Sequence, residues 1–320
     1  MAYGIGVDST AVLVGYAARG IRPDLILFAD VGAERAATYH YLPLINLWLE
    51  GVGFPQVTVV RYQPKNFKHW PHYHTIEENI LTNVALPSIA YGGHSCSSKW
   101  KIAPQDEFLE SWQPAIDAWA AGAKVRRAVG FEDSAHEHRR RQRCATFAVQ
   151  DIDGKRYEPV FPLQEWGWDR ARCETEIMLA GLTVPSKSSC YFCTAMKPWE
   201  VDELPADKLM RIVIIEARTR QRHLDYAEKK GWPRGEGVPL TEGIWRKRVK
   251  GMRGATPKPG SMTEYIREKG LLPSPLIDRL IEATPTRYFT AADFESEGIT
   301  DWQGWLNRIC ETAIRQAVAA

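Results

Sequence analysis

Gly4-Ile5-Gly6-Val7-Asp8-Ser9-Thr10 is a short glycine-bearing segment that runs directly into a helical pattern. Glycines let backbone N–H groups turn toward an anion, and a helix N-terminus adds the positive end of its dipole. Ser9 and Thr10 can donate hydroxyl hydrogen bonds to phosphate oxygens. Asp8 is a poor direct neighbour for phosphate, so it is expected to serve a cation or to hold the loop. Turns and helix caps use the same residue types, so the segment must be weighed with its surroundings.

Outward from this loop, the first 150 residues alternate in pattern. Ser9 to Arg19 reads as a helix, with Val12, Leu13, Tyr16 and Ala17 on its apolar face and a stop at Gly20. Strand-length apolar or β-branched runs follow at Asp24–Asp30 (DLILFAD), Val57–Tyr62 (VTVVRY) and Lys124–Gly130 (KVRRAVG). Helical patterns at Ala36–Leu49 and Pro104–Ala121 separate them. The alternation predicts an α/β fold, a parallel sheet with helices on both faces. Ligands bind such sheets at the carboxyl ends of strands, which selects the loops Gly4–Ser9, Asp30–Glu34 and Phe131–His138. Only Met1–Tyr3 precede the first loop, so the first strand is either very short or begins upstream of Met1. Beyond about residue 200 the pattern turns helical and charged. The expected division is a nucleotide-binding domain over 1–200 and a mainly helical region over 201–320.

The net charge of +2 demands no polyanionic partner, so any nucleic-acid surface must be a local patch. No apolar run approaches the roughly 18 residues of a membrane span, and no signal peptide is legible. A cytoplasmic location and no membrane partner are the default expectations. The twelve tryptophans are read first as packing residues rather than base-stacking platforms.

Gly4–Ser9 resembles the PP-loop, Ser-Gly-Gly-x-Asp-Ser, of the adenine nucleotide alpha hydrolase superfamily. Gly4 stands where that pattern has Ser, and Ile5 where it has the first Gly. A longer form, Ser-Tyr-Gly-Gly-Gly-Val-Asp-Ser, is seen in PAPS reductase-like proteins of phages and prophages. It fits more closely, with Ala2 and Ile5 as mismatches. Phe28-Ala-Asp-Val-Gly-Ala-Glu34, with Tyr39 beyond it, resembles the Asp-Thr-Gly segment of PAPS reductases. Gly130–Arg140 (GFEDSAHEHRR) resembles the family's acidic and arginine-bearing segment after the fourth strand. The resemblance implies an adenine nucleotide alpha hydrolase-like fold and ATP with Mg²⁺ as cofactor. It implies nucleotide contacts from Gly4, Gly6, Val7, Asp8, Ser9, Thr10, Asp30, Gly32 and Glu34. Asp8, Ser9, Arg139 and Arg140 are the expected catalytic residues.

Six cysteines are present. Cys190-Tyr-Phe-Cys193 is a Cys-x-x-Cys pair, which points to metal or redox chemistry; Cys96 lies in a polar segment with Lys99 and Lys101. The plain alternative is that Cys96 is a small buried hydrophobe and the pair incidental. In relatives of the resembled family, similar cysteines hold a four-iron cluster. Cys96, Cys190 and Cys193 are accordingly the expected ligands of an iron–sulfur (4Fe-4S) cluster. Zn²⁺ is the competing metal, with His94 as a fourth ligand. Cys144, Cys173 and Cys310 lack such spacing and are read as structural. Cys310 sits in Arg-Ile-Cys-Glu-Thr, which does not match the nucleophile motif of sulfonucleotide reductases.

Two basic clusters stand out. Arg139, Arg140, Arg141 and Arg143 are read as either phosphate neutralisers or a solvated helix face. Arg246, Lys247, Arg248, Lys250, Arg253 and Lys258 could follow a nucleic-acid backbone or form a solvated linker. The expected function is an ATP pyrophosphatase that adenylates a substrate and couples to sulfur transfer or nucleic-acid modification. An adenine nucleotide and a sulfur-donor protein are the candidate partners. The alternatives are a sulfonucleotide reductase and a non-catalytic nucleotide sensor.

Overall fold

The computed structural model describes residues 1–87, 95–150, 156–229, 243–245 and 259–318. They form a mixed α/β chain of two compact units. The first comprises Met1–Tyr62 and Lys99–Ser189, the second Gln63–Ser98 and Cys190–Ala320.

The first unit contains two parallel two-stranded ladders. In one, β1 (Ile26–Ala29) pairs with β2 (Val57–Val60), Ile26 opposite Val57. In the other, β3 (Val125–Ala128) pairs with β4 (Tyr157–Val160), Val125 opposite Tyr157. The segment Met1–Tyr3 is hydrogen-bonded to both. Leu27 N–H donates to Met1 O at 3.0 Å, Tyr3 N–H donates to Leu27 O at 2.8 Å, and Ala2 N–H donates to Ala128 O at 3.3 Å. Three of the four strands coincide with the runs expected from sequence. β4 (YEPV) does not, because Pro159 and Glu158 interrupt any apolar alternation.

Helix α1 (Val7–Ala18) is buried along most of its length. Val7, Ala11, Val12 and Val14 pack with Ala128, Val160, Leu163 and Ile177, while Leu13 joins Ile26, Phe28, Ile45 and Leu49. A helix packed on two sides needs no single apolar stripe. Gly15 belongs to the same packing, since a β-carbon there would stand 2.1 Å from the Trp166 ring. Helix α2 (Ala36–Gly51) covers β1 through Tyr41, Ile45 and Leu49. The helical run expected over Pro104–Ala121 is two helices, Ala103–Ser111 and Gln113–Ala120. They break at Trp112, whose extended backbone precedes the Gln113-Pro114 step.

In the second unit the long helix Ala206–Lys229 packs against Ile76–Asn83, Met262–Glu268 and Ser274–Glu282. Arg218 is fully buried in it. Its guanidinium donates to the carbonyls of Leu81, Pro285 and Arg287 and lies 4.2 Å from the centre of the Phe289 ring. Burial pushes its pKa down to about 10. Trp302 and Trp305 complete this aromatic layer, in keeping with tryptophans used for packing. Among the described residues no helix is long and apolar enough to cross a membrane. The basic run 246–258 and His94 lie outside the described residues, as do the side chains of Arg143 and Cys144.

Candidate functional site

The Gly4–Ser9 segment leaves the centre of the two ladders and turns into α1. Ile5 makes the turn in the left-handed region, at φ +56°, with its side chain completely buried. A β-branched residue is a steric outlier there. The geometry that glycine would supply is thus kept without glycine, held by burial of the side chain. Ser9 clamps the turn. Its hydroxyl accepts from the N–H groups of Gly4 and Gly6, both at 3.3 Å, and donates to Gly6 O at 3.1 Å. Thr10 N–H is bonded to Gly6 O at 3.0 Å. The N–H groups of Val7, Asp8 and Ser9 precede that bond in the first turn, where α-helical geometry provides no intrahelical acceptor. The Thr10 hydroxyl lies in the core, 3.1 Å from Tyr3 Oη.

Gly130, just beyond β3, closes onto this loop. A β-carbon on it would lie 2.8 Å from Ser9 N and 2.9 Å from Asp8 C. The segment after it brings acidic and basic groups to Asp8. Arg170, at the start of helix Arg170–Leu179, is ion-paired with Asp8 Oδ1 at 3.0 Å and with Glu132 Oε2 at 3.4 Å. Its Nη2 donates to Asp8 Oδ2 at 3.3 Å. Asp8 Oδ1 and Glu132 Oε2 are nonetheless buried oxygens that receive no hydrogen bond. Burial pushes the Asp8 carboxyl up to about 6; Arg170 opposes the shift, while Glu132 and Glu137 add to it. Glu137 is buried and held by Arg140, whose Nη1 donates to both carboxylate oxygens at 2.9 and 2.8 Å. Arg140 also lies over Phe131, 4.4 Å from the ring centre. Arg139 is exposed on the same helix.

The loop after β1 forms the other wall. Asp30 is buried with both oxygens engaged. Oδ1 accepts from Gly32 N–H and Tyr39 Oη, each at 2.8 Å, and Oδ2 accepts from Arg61 Nε and Nη2 at 3.0 and 2.7 Å. It therefore acts as a bracket for its own loop. Gly32 provides the left-handed turn at φ +72°. Glu34 Oε1 accepts from Lys101 Nζ at 2.8 Å, while Glu34 Oε2 is buried without a donor. Thr38 Oγ1 and Ser189 Oγ are likewise buried without hydrogen-bond partners. Arg35 N–H donates to Ser189 O at 3.1 Å, which joins this turn to the segment Lys187–Ser189.

The three cysteines expected to bind metal all belong to the second unit. Cys190 and Cys193 form a turn in which Cys193 N–H donates to Cys190 O at 3.0 Å. Cys96 lies in the short helix Ser95–Ser97. Among the described residues no three His, Cys, Asp or Glu side chains are gathered to hold a metal ion. Cys173 is buried and Cys310 half-buried, and burial pushes the first thiol up to about 12 and the second to about 11.

No protein-family model, curated protein or solved structure matches this chain. Two site residues were not singled out by the sequence, Arg170 and Ser188. Arg170 reaches Asp8 across 162 positions, and only its place one residue after the helix cap Asp169 marks it. Ser188 is visible in the Lys-Ser-Ser run before Cys190, but nothing in that run points to the loop.

Proposed function

We propose that this protein binds ATP through the Gly4–Ser9 loop and splits it between the α and β phosphates to adenylate a substrate. The observation that carries this reading is the loop itself. A left-handed turn at Ile5, clamped by Ser9, leads into a helix whose first-turn N–H groups lack intrahelical acceptors. That is the arrangement expected of an anion cradle. The hydrogen bonds of Met1–Tyr3 to β1 and β3 also favour one continuous sheet, ordered β2, β1, Met1–Tyr3, β3, β4. The loop would then leave that sheet where the direction of winding reverses, the usual ligand position in such folds.

Asp8 and Glu132 would hold Mg²⁺, which typically takes one or two carboxylates together with substrate phosphates; each has a buried oxygen that receives no hydrogen bond and is ion-paired with Arg170, which the cation would displace. When bound, the cation would neutralise charge on the phosphates. Ser9 holds the loop closed, so that backbone N–H groups face the phosphate chain. Arg139 and Arg140 would offset the charge that develops as pyrophosphate leaves. A substrate oxygen forms a bond to the α-phosphorus, the bond from that phosphorus to the bridging oxygen breaks, and the electron pair departs with pyrophosphate. Positioning and charge neutralisation supply the catalysis.

A second reading, a nucleotide sensor without turnover, is favoured by Arg170. Its guanidinium lies across Asp8 and Glu132, where the cation would sit. Release of pyrophosphate from ATP separates the two. An enzyme releases it in a manner dependent on Asp8; a sensor binds ATP and returns it intact.

A further inference from the structure

Beside the phosphate loop runs the strap Lys187–Ser189. A β-carbon on Gly6 would stand 3.3 Å from Ser188 Oγ, and one on Gly4 would stand 3.7 Å from the same atom. The Ser188 hydroxyl therefore borders the turn on which the phosphates are proposed to rest. Position 4 is where the PP-loop pattern carries a serine and this chain carries glycine. A side chain at position 4 would start in ordinary van der Waals contact with the Ser188 hydroxyl.

The strap is anchored on its other side. Ser189 O accepts from Arg35 N–H, and Ser189 is buried with its hydroxyl unpartnered. Glu34 Oε2, in the adjoining loop, and Thr38 Oγ1, in the first turn of α2, are buried without partners as well. A buried polar atom left unsatisfied costs free energy unless something fills it. Three such oxygens lie on the strap and on the segment it is bonded to.

We propose that Ser188 is an anion-binding residue of the phosphate loop, its hydroxyl donating to a nucleotide phosphate oxygen in place of the serine absent at position 4. The proposal rests on the reading of Gly4–Ser9 as a phosphate loop. It assigns the strap to polyphosphate recognition and predicts that the hydroxyl can be moved from one position to the other.

The test is calorimetric titration of Mg²⁺ with α,β-methylene ATP, and separately of adenosine, into the parent, Ser188→Ala, and Gly4→Ser combined with Ser188→Ala. Thermal melts serve as the folding control. Hydrogen bonds to charged groups are among the stronger ones, so Ser188→Ala should weaken the ATP analogue about tenfold or more. Adenosine affinity and the melting temperature should stay at the parent values. Gly4→Ser in the Ser188→Ala background should recover most of the loss. Unchanged binding of the analogue by Ser188→Ala would overturn the proposal while leaving the loop reading intact. Equal weakening of analogue and adenosine, or no recovery by Gly4→Ser, would also overturn it. A parent protein that binds no ATP analogue would overturn the loop reading, and this proposal with it.

Discussion

Gly130 lies so close to Ser9 that a β-carbon on it would stand 2.8 Å from the Ser9 backbone nitrogen. The opposing atoms are backbone, so no side chain can swing aside to relieve the clash. Gly130→Ala should therefore displace either the loop or the segment after β3. Overpacking of this kind costs about 1–3 kcal/mol, and ATP affinity should fall with it. Gly51→Ala is the control. Gly51 is helical with open space around its missing β-carbon, so alanine there should be neutral or stabilise by about 0.5–1 kcal/mol. Melting curves and an ATP titration on both variants check this; equal behaviour of the two would disprove the contact.

Asp8 carries an electrostatic cost in the folded protein. Its carboxyl is raised from 3.8 to about 6 by burial, so the folded protein holds the proton more tightly than the unfolded chain. The cost is absent below about pH 4, grows between 4 and 6, and is full above 6. At about 1.36 kcal/mol per pKa unit it reaches at most about 3 kcal/mol, less because part of the side chain is exposed. Asp8→Asn should accordingly melt at a higher temperature than the parent at pH 7.5, with the gap closing by pH 4. The same variant should lose Mg²⁺-dependent ATP binding. In the parent, that binding should weaken as pH falls through 6. A variant less stable than the parent at pH 7.5 would contradict the argument.

Ile5 offers a test of backbone strain. Alanine and glycine both remove its buried side chain, but only glycine accepts φ +56° freely. Ile5→Gly should be more stable than Ile5→Ala by about 1 kcal/mol, the reverse of the usual order. Both should be less stable than the parent, because a fully buried side chain is lost. Urea unfolding of the pair decides it; alanine above glycine would mean that the turn is not left-handed.

Two cysteines carry raised thiols, Cys173 buried and Cys310 half-buried. Cys173 and Cys310 have raised thiol pKa values, and the thiolate is the reactive form. Both should resist a disulfide reagent at pH 7.5 in the folded protein and react once it is unfolded in guanidinium. Any thiol-dependent reduction of a sulfonucleotide should survive Cys310→Ala. Rapid labelling of Cys310 in the folded chain, tracked by mass spectrometry, would reopen the reductase alternative.

The sequence was most legible where local pattern and tertiary role agree. β1, β2 and β3 are apolar or β-branched runs, and α1 and α2 fall where helical patterns alternate with them. β4 carries Pro159 and no alternation, so its pairing with β3 comes from tertiary context. Asp30 shows the limit at the site. The sequence marks a carboxylate after a strand but not that Arg61 follows the neighbouring strand. Parallel pairing of β1 with β2 brings those two ends together, so that Asp30 Oδ2 accepts from Arg61. Thr10 is similar: hydroxyl chemistry is visible in sequence, its burial against Tyr3 is not. Arg170 and Ser188 were hidden because their partners are set by chain crossings rather than by spacing.

The central claim is that Gly4–Ser9 grips the phosphates of ATP. The most direct measurement is calorimetric titration of ATP and of adenosine, with Mg²⁺, into the parent and into Ser9→Ala, whose hydroxyl holds the N–H groups of Gly4 and Gly6. The parent should bind ATP far more tightly than adenosine, and Ser9→Ala should lose the difference while its melting curve stays cooperative. Equal binding of ATP and adenosine by the parent, or undiminished ATP binding by Ser9→Ala, would contradict it.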